Sequence, residues 1–135
     1  MKAFRHTHKN FFFVRLHEDE DLLLSLRRAV AENGVKNAVI LMGMGSVKRY
    51  HFHVVDSAVN PPGERFPKSD SPADIVNING IVIGGRVHAH ITLTDSKVAF
   101  GGHLEEGCPV LTFSVIALAE IDDADFTEWD AIKKF

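Results

Sequence analysis

The chain is poor in the features that mark disulfide-rich, membrane-spanning or nucleic-acid-binding proteins. It has one cysteine, Cys108, among 135 residues, which excludes an internal disulfide framework and fits a reducing compartment. No apolar run approaches the roughly 20 residues of a transmembrane helix. Its 15 Lys and Arg against 18 acids give a net charge of −3, whereas nucleic-acid-binding domains are normally basic. The N-terminal residues lack a secretory apolar segment, so we expect a cytoplasmic protein.

Hydrophobic periodicity predicts strands packed around one strong helix. With 45% hydrophobic and 24% charged residues, residues 1–135 are expected to form a single domain with a real core. The helix is predicted to begin near Asp19 or the acids beside it and to end at about Asn33, because apolar residues recur at helical spacing from Leu22 to Val30. Seven strands are predicted, at residues 11–16, 38–42, 48–55, 73–83, 84–95, 96–104 and 110–121. The strand at residues 38–42 is expected to be buried on both sides.

Three segments fall outside this pattern. Residues 57–72 hold four of the five prolines and are predicted to form an irregular loop. Residues 43–46, Gly-Met-Gly-Ser, resemble the start of a dinucleotide fingerprint, but β-like sequence follows, so a sharp bend between two strands is predicted. Residues 122–135 are predicted to form a short helix that docks on its own sheet, the more common outcome, or on a neighbouring subunit. The apolar residues that recur in this tail are Phe126, Trp129, Ile132 and Phe135.

The most informative pattern is a predicted hairpin that carries three histidines. Residues 84–95 and 96–104 form its strands, joined by a two-residue turn at Asp95-Ser96. In that register His88 lies directly opposite His103. Because side chains alternate along a strand, one face is apolar and the other carries the histidines. The predicted core face consists of Val87, Ala89, Ile91, Leu93, Val98, Phe100 and Leu104.

Three imidazoles away from the core provide what an open metal site requires. Three neutral nitrogen ligands leave a fourth position for water or substrate. We therefore predict that His88, His90 and His103 bind zinc or another divalent metal. The alternative interpretation is that they are solvated or hydrogen-bonded polar residues. A three-residue loop would also turn His103 toward the core, unless a bulge at Gly101-Gly102 restored it.

Other polar residues near this pattern carry weaker information. Two further His-x-His pairs, His6/His8 and His51/His53, are interpreted as ordinary solvated residues. Glu105 and Glu106 follow His103 directly, and either could act as a general base on a metal-bound water or support an imidazole. A solvated or loop-capping carboxylate is the more common role. No catalytic residue is therefore assigned.

Two segments resemble a known family. The run Val87-His-Ala-His-Ile-Thr-Leu-Thr-Asp95 followed by Gly101-Gly-His-Leu-Glu-Glu-Gly-Cys108 is similar to the signature of the PPC domain, the plant and prokaryote conserved domain. Residues 14–22, 41–47 and 74–80 match in the same order. The family commonly has leucine at the positions of Ala89 and Glu105. The chain has no Arg-Gly-Arg-Pro AT-hook, so the DNA-binding mechanism of the plant members is not carried over.

The resemblance implies an α/β (α+β) fold with a mainly antiparallel sheet of about seven strands flanked by helices, assembled as a homotrimer. It also implies a divalent metal, with zinc favoured, at the histidines matching His88, His90 and His103. Two function classes follow. The first is a metal-dependent hydrolase or lyase that acts on a small molecule through metal-activated water, with Glu106 as a weak candidate base. The second, less favoured, is a DNA-associated regulator with a basic patch at Arg27, Arg28, Lys48 and Arg49.

Overall fold

Nine strands and one α-helix make up the part of the chain that the computed structural model describes, which is residues 10–122 with residues 124, 126, 128 and 129. In chain order the elements are β1 (Phe11–Leu16), α1 (Leu22–Glu32), β2 (Ala38–Val47), β3 (Tyr50–Val55), β4 (Glu64–Arg65), β5 (Lys68–Ser69), β6 (Ala73–Ile83), β7 (Arg86–Thr94), β8 (Ala99–Leu104) and β9 (Val110–Glu120). The predicted class, a mainly antiparallel α+β fold, is confirmed. The expected count of about seven strands was too low, because the proline-rich loop contributes two strands of two residues each.

The helix forms where the apolar spacing predicts it. Asp21 is its N-cap, and the Asp21 carboxylate accepts a hydrogen bond from the Leu24 backbone N–H at 3.0 Å. This satisfies one of the unpaired donors at the first turn. Leu22, Leu26 and Val30 are completely buried, so one stripe of the helix closes the core. Among the described residues it is the only α-helix, which corrects the expectation of several flanking helices.

The strands form one sheet in the order β1-β9-β2-β6-β7-β8-β3-β4, with β5 pairing with β3, and every strand pairing is antiparallel. The helix packs on one side, where the buried residues of the main core lie. We call the opposite side the open face. Directly paired residues point to the same side of a sheet, so one row of partners traces this face from edge to centre: Phe11, Ala119, Val39, Ile81 and His88.

Strand β2 differs from its prediction. It was expected to be short, buried on both sides and followed by a bend at residues 43–46, but it runs for ten residues through that segment. Its register with β9 shifts between Ile40 and Met42 and again between Gly45 and Val47. Bulges of this kind accommodate the glycines without ending the strand. As a result Met42 and Met44 are exposed on the open face.

The histidine hairpin forms with a longer loop than predicted. Thr94 pairs with Ala99, so four residues rather than two connect β7 and β8, and His103 lies opposite His90 rather than His88. Because the register has moved by two residues, each side chain keeps its face. The predicted placement of Val98 on the core face was wrong, since it lies in the loop and is 56% exposed.

The described part of the C-terminal tail returns to its own sheet. Phe126 is buried beside Ile83 and Ile121 in a small second core, and its ring contacts Trp129 edge-on at 4.8 Å between centroids. The remainder of the predicted tail helix, including Ile132 and Phe135, lies outside the described residues. Within those residues there is no helix with the length and apolar character needed to cross a membrane.

Candidate metal centre

The hairpin brings the three predicted histidines together on the open face. β7 supplies His88 and His90, whose ring centroids are 5.6 Å apart. His103 reaches them from β8, at 4.7 Å from the His88 ring and 5.4 Å from the His90 ring. The alternation of β7 sends Ala89 into the core while both neighbouring imidazoles face away from it. The three rings are therefore neighbours, although among the described residues the set of three whose donor atoms all lie within 4.8 Å of one another is His53, His103 and Glu105.

A fourth histidine, His53, joins this group from β3. β3 pairs with β8 so that His53 lies opposite His103, and the two rings stack at 4.4 Å. We call His53, His88, His90 and His103 the histidine cluster. Sequence reasoning treated His53 as a solvated residue, because the β3–β8 pairing joins segments about fifty positions apart. One signal was present: Tyr50, Phe52 and Val54 alternate as an apolar set, which leaves His51 and His53 on the opposite face.

Glu105 contacts the cluster, which agrees with the predicted alternative that it supports an imidazole. Its Oε1 is 2.6 Å from His53 Nδ1 and 3.6 Å from His103 Nδ1. One donor atom from each of His53, His103 and Glu105 lies within 4.8 Å of the other two. His103 thus belongs to two overlapping donor sets, one with His88 and His90 and one with His53 and Glu105.

The electrostatic environment keeps the central imidazoles uncharged. Burial lowers the pKa of His103, and the neighbouring His53 and His88 lower it further, which together outweigh the opposing effect of Glu105. Partial burial and the proximity of His88 lower the pKa of His90. A histidine whose pKa falls below its ordinary value is neutral at physiological pH and offers a lone pair.

One nitrogen of the cluster has no hydrogen-bond partner within the described part of the chain. His103 Nδ1 is buried, and the nearest carboxylate oxygen, at 3.6 Å, is too far for a hydrogen bond. A buried polar atom of this kind carries a free-energy cost unless something binds it. The arrangement of neutral, clustered nitrogens with one unsatisfied member fits a borderline metal such as zinc, for which imidazole is a preferred ligand.

The loop after β8 is held in place from the helix side. Asp21 Oδ2 accepts hydrogen bonds from the backbone N–H groups of Gly107 at 2.7 Å and Cys108 at 3.0 Å, while Asp21 Oδ1 caps the helix. Glu106 forms an ion pair with Arg27. The suggestion that Glu106 acts as a base at the metal is therefore not supported, since its carboxylate is directed to the helix.

Cys108 is a structural residue. Its thiol donates to the His51 carbonyl oxygen at 3.3 Å and accepts from the His51 backbone N–H at 3.2 Å. Burial raises the pKa of the Cys108 thiol to about 11, so it is protonated and unreactive at neutral pH. The cysteine joins β3 to the loop that carries Glu105 without itself taking part in the cluster.

Solved structures share this fold at low sequence identity. A protein from Archaeoglobus fulgidus described as metal-containing superposes with a TM-score of 0.77 at 23% identity, covering 92% of this chain and 89% of its own. A plant- and prokaryote-conserved protein from Pyrococcus horikoshii gives 0.75 at 20% identity, covering 91% and 87%. A Bacteroides thetaiotaomicron protein whose name proposes DNA binding gives 0.74 at 16% identity, covering 87% and 85%.

Sequence comparison finds a distant relative and a matching domain family. The bifunctional protein GlmU of a Synechococcus strain is 25% identical over 115 residues, which are 84% of this chain but 17% of that protein. The chain thus spans a small part of this relative's length. The sequence pattern of the Plants and Prokaryotes Conserved (PCC) domain matches residues 5–122, a range that includes the whole histidine cluster. The chain therefore belongs to the PCC domain family.

Proposed function

We propose that this protein binds one divalent metal ion, with zinc preferred, through His88, His90 and His103, and that it acts on a small molecule at that site. The observation that supports the proposal is the convergence of the three imidazoles around His103 on a face that α1 does not cover. The Archaeoglobus fulgidus protein of the same fold is described as metal-containing. Three neutral ligands leave the full charge of the ion uncompensated and one coordination position open.

A bound zinc-class ion would act as a Lewis acid, able to polarise a carbonyl or lower the pKa of water, which is the chemistry of hydrolases and lyases. The chain itself contributes orientation. Glu105 holds the His53 ring through the 2.6 Å contact with Nδ1, and the stacked His53 ring in turn packs on His103. We infer that Glu105 and His53 position His103, as carboxylate–histidine partners commonly do around metal ligands.

A second donor set competes with the first. His53, His103 and Glu105 have donor atoms within 4.8 Å of one another, so an ion could instead sit on the β3 side of His103. A carboxylate ligand would cancel part of the metal charge and favour a harder ion. We favour the set on β7 and β8, because its three histidines are those that the family resemblance implies as metal ligands.

We also propose that the protein is a homotrimer, as the family resemblance implies. Five large apolar side chains form an exposed group on the open face, which we call the apolar patch: Phe11, Phe13, Met42, Met44 and Phe113. Phe13 and Phe11 are 68% and 61% exposed. A contiguous apolar surface of this kind on one sheet face is typical of subunit interfaces. In the trimer that the family resemblance implies, a second copy of the chain would cover the apolar patch.

Metal content tests the central proposal. Protein purified without chelators is expected to carry about one zinc or similar ion per chain by elemental analysis, and His103→Ala should lose it. His17→Ala is the matched control, because His17 is exposed and lies outside the cluster. Wild-type protein that is metal-free and takes up no zinc on titration would overturn the proposal, as would equal loss in the control.

The DNA-associated role is the less favoured alternative, supported by the names of some relatives of the same fold. The residues suggested for its basic patch argue against it. Arg27 pairs with Glu106, Arg28 with Glu20, and Lys48 with Glu18 and Asp19. Three of the four cations are thus neutralised locally and contribute little to a field that attracts phosphates.

A further inference from the structure

A cavity of about 360 Å³ is lined by His51, which is two positions from His53 of the histidine cluster. It forms where β5 pairs with β3, placing Lys68 opposite His51 and Ser69 opposite Tyr50, and the loop after β8 closes it. Its lining residues are Arg49, Tyr50, His51, Lys68, Ser69, Asp70, Glu106 and Gly107. The volume is at the lower end of the range for small-molecule sites.

Two cations line this cavity, Arg49 and Lys68. Neither forms an ion pair or a side-chain hydrogen bond with the described residues, in contrast to the paired Arg27, Arg28 and Lys48. Of the two acids in the lining, Glu106 is neutralised by Arg27. Asp70 remains. The cavity therefore has an excess of one positive charge, which matches a single carboxylate better than a phosphate dianion.

His51 adds a further polar group to the lining. Its Nδ1 is 2.7 Å from the Glu106 carbonyl oxygen. A carbonyl can only accept, so Nδ1 carries the proton and donates. The other ring nitrogen, Nε2, is buried and has no partner within the described part of the chain. Because Nδ1 carries the proton, Nε2 is an acceptor, and a ligand hydroxyl rather than a carboxylate oxygen can satisfy it.

The cavity and the histidine cluster share one strand and one face. His51 and His53 are two positions apart on β3, so their side chains lie on the same side of the sheet, roughly 7 Å apart along the strand. The ring of Phe66 lies beside both, with centroid distances of 6.1 Å to His51 and 5.3 Å to His53. The cavity and the cluster are therefore adjacent along β3, with Phe66 beside the histidine that belongs to each.

We propose that this cavity binds the carboxylate of a small molecule whose opposite end is presented to the histidine cluster. Arg49 and Lys68 hold the carboxylate by charge-assisted hydrogen bonds, and His51 Nε2, which has no partner among the described residues, accepts a hydrogen bond from a hydroxyl of the same molecule. The second half of this inference rests on the metal proposal. Carboxylate binding itself depends only on the cavity residues, so the two can fail separately.

The test is a titration of ¹⁵N-labelled protein with glycolate at constant ionic strength, followed by amide chemical shifts. We expect saturable shifts centred on His51, Lys68 and Gly107, with a Kd on the order of 1 mM, typical of a ligand of so few atoms. Arg49→Gln and Lys68→Gln should each weaken binding about tenfold, the effect of losing one charge-assisted hydrogen bond. Lys36→Gln removes an equal charge at the other end of β2 and should leave the Kd unchanged.

The competing outcomes are distinct. Shifts that do not saturate, or that persist in both cavity variants, would overturn the site. Tighter binding of inorganic phosphate than of glycolate would contradict the charge count that selects a carboxylate. The titration is made on the protein as purified and again after chelation. Binding retained in the chelated protein supports the cavity even if no metal is ever found, whereas loss of binding in Arg49→Gln with normal zinc content shows that the metal site is independent.

Discussion

The open face of the sheet has two halves, one with exposed apolar side chains and one with clustered histidine side chains. On β1, β2 and β9 it presents the apolar patch, whose Phe13 ring is 68% exposed. On β3, β7 and β8 it presents the histidine cluster, in which the buried His103 Nδ1 has no hydrogen-bond partner among the described residues. The strands are continuous between the two halves, and the row of partners from Phe11 to His88 joins them.

This difference separates two kinds of partner. Exposed apolar side chains are stabilised by packing against another protein surface, which removes them from water without directional contacts. Clustered imidazoles are stabilised by an ion or a polar ligand, because their nitrogen lone pairs need a polar partner. The same face is thus expected to serve assembly at one end and chemistry at the other, and substitutions at each end should have separable effects.

The largest expected effect is on assembly. Wild-type protein should have three times the 15.0 kDa mass of the chain by light scattering, and Phe13→Asp should be monomeric at micromolar concentration, since burying an unpaired carboxylate in an apolar interface costs several kcal/mol. Val98→Asp is the control, because Val98 is similarly exposed in the β7–β8 loop. A monomeric wild type would refute the trimer. An unchanged mass for Phe13→Asp would show that the trimer does not form through the apolar patch.

The next effect distinguishes the two donor sets around His103. If the ion binds His88, His90 and His103, His90→Ala should weaken zinc binding by more than about a hundredfold, and Glu105→Gln by about ten- to a hundredfold, as expected for a residue that orients a ligand. A competition titration against a chelator of known affinity gives both values. The reverse ranking would assign the ion to His53, His103 and Glu105. Neither variant should alter the oligomeric mass.

A smaller effect, on stability, is expected at Asp21, which holds the loop after β8 next to the histidine cluster. Asp21→Ala removes the helix N-cap and the acceptor for two loop N–H groups, so the free energy of unfolding should fall by about 3 kcal/mol. Asp21→Asn retains the capping oxygen, but its amide nitrogen cannot accept from Gly107 and Cys108, and about half the loss is expected. Urea denaturation measures both. Equal stability of all three proteins would show that these hydrogen bonds contribute nothing net.

The smallest expected effect concerns DNA. Because three of the four candidate cations are paired, binding should not exceed a non-specific Kd of about 10⁻⁴ to 10⁻⁶ M at physiological salt. Anisotropy titrations with two unrelated duplexes should give the same value, and Arg28→Gln should change it little. Nanomolar binding to one sequence would promote the regulator role over the metal-dependent one.

Local patterns predicted most of the elements correctly. The helix follows from the spacing of Leu22, Leu26 and Val30 and from the acids before it, which depend only on near neighbours. The alternation of side chains within a hairpin, which is also a local pattern, predicted that one face carries His88, His90 and His103. The family resemblance was carried mainly by the residues around His103, and the match over residues 5–122 confirmed it.

The features that were missed depend on contacts between distant segments. His53 joins the cluster only because β3 pairs with β8 across the proline-rich loop, and nothing in residues 50–55 specifies that partner. Glu106 was considered as a base, but Arg27 lies 79 positions away and could not be seen as its ion-pair partner. The continuation of β2 through residues 43–46 depends on bulges in its pairing with β9.

The pairing of β7 with β8 implies a rule for how the register of this hairpin can change during evolution or engineering. Side chains alternate, so sliding β8 by two residues along β7 could bring His103 opposite His88 instead of His90 and still leave it on the open face. Sliding it by one residue would exchange the faces of His103 and Leu104, placing an imidazole in the core and a leucine in the histidine cluster. Register changes that preserve the site are therefore restricted to even steps, and an odd change must be compensated by a bulge elsewhere in the same strand pair.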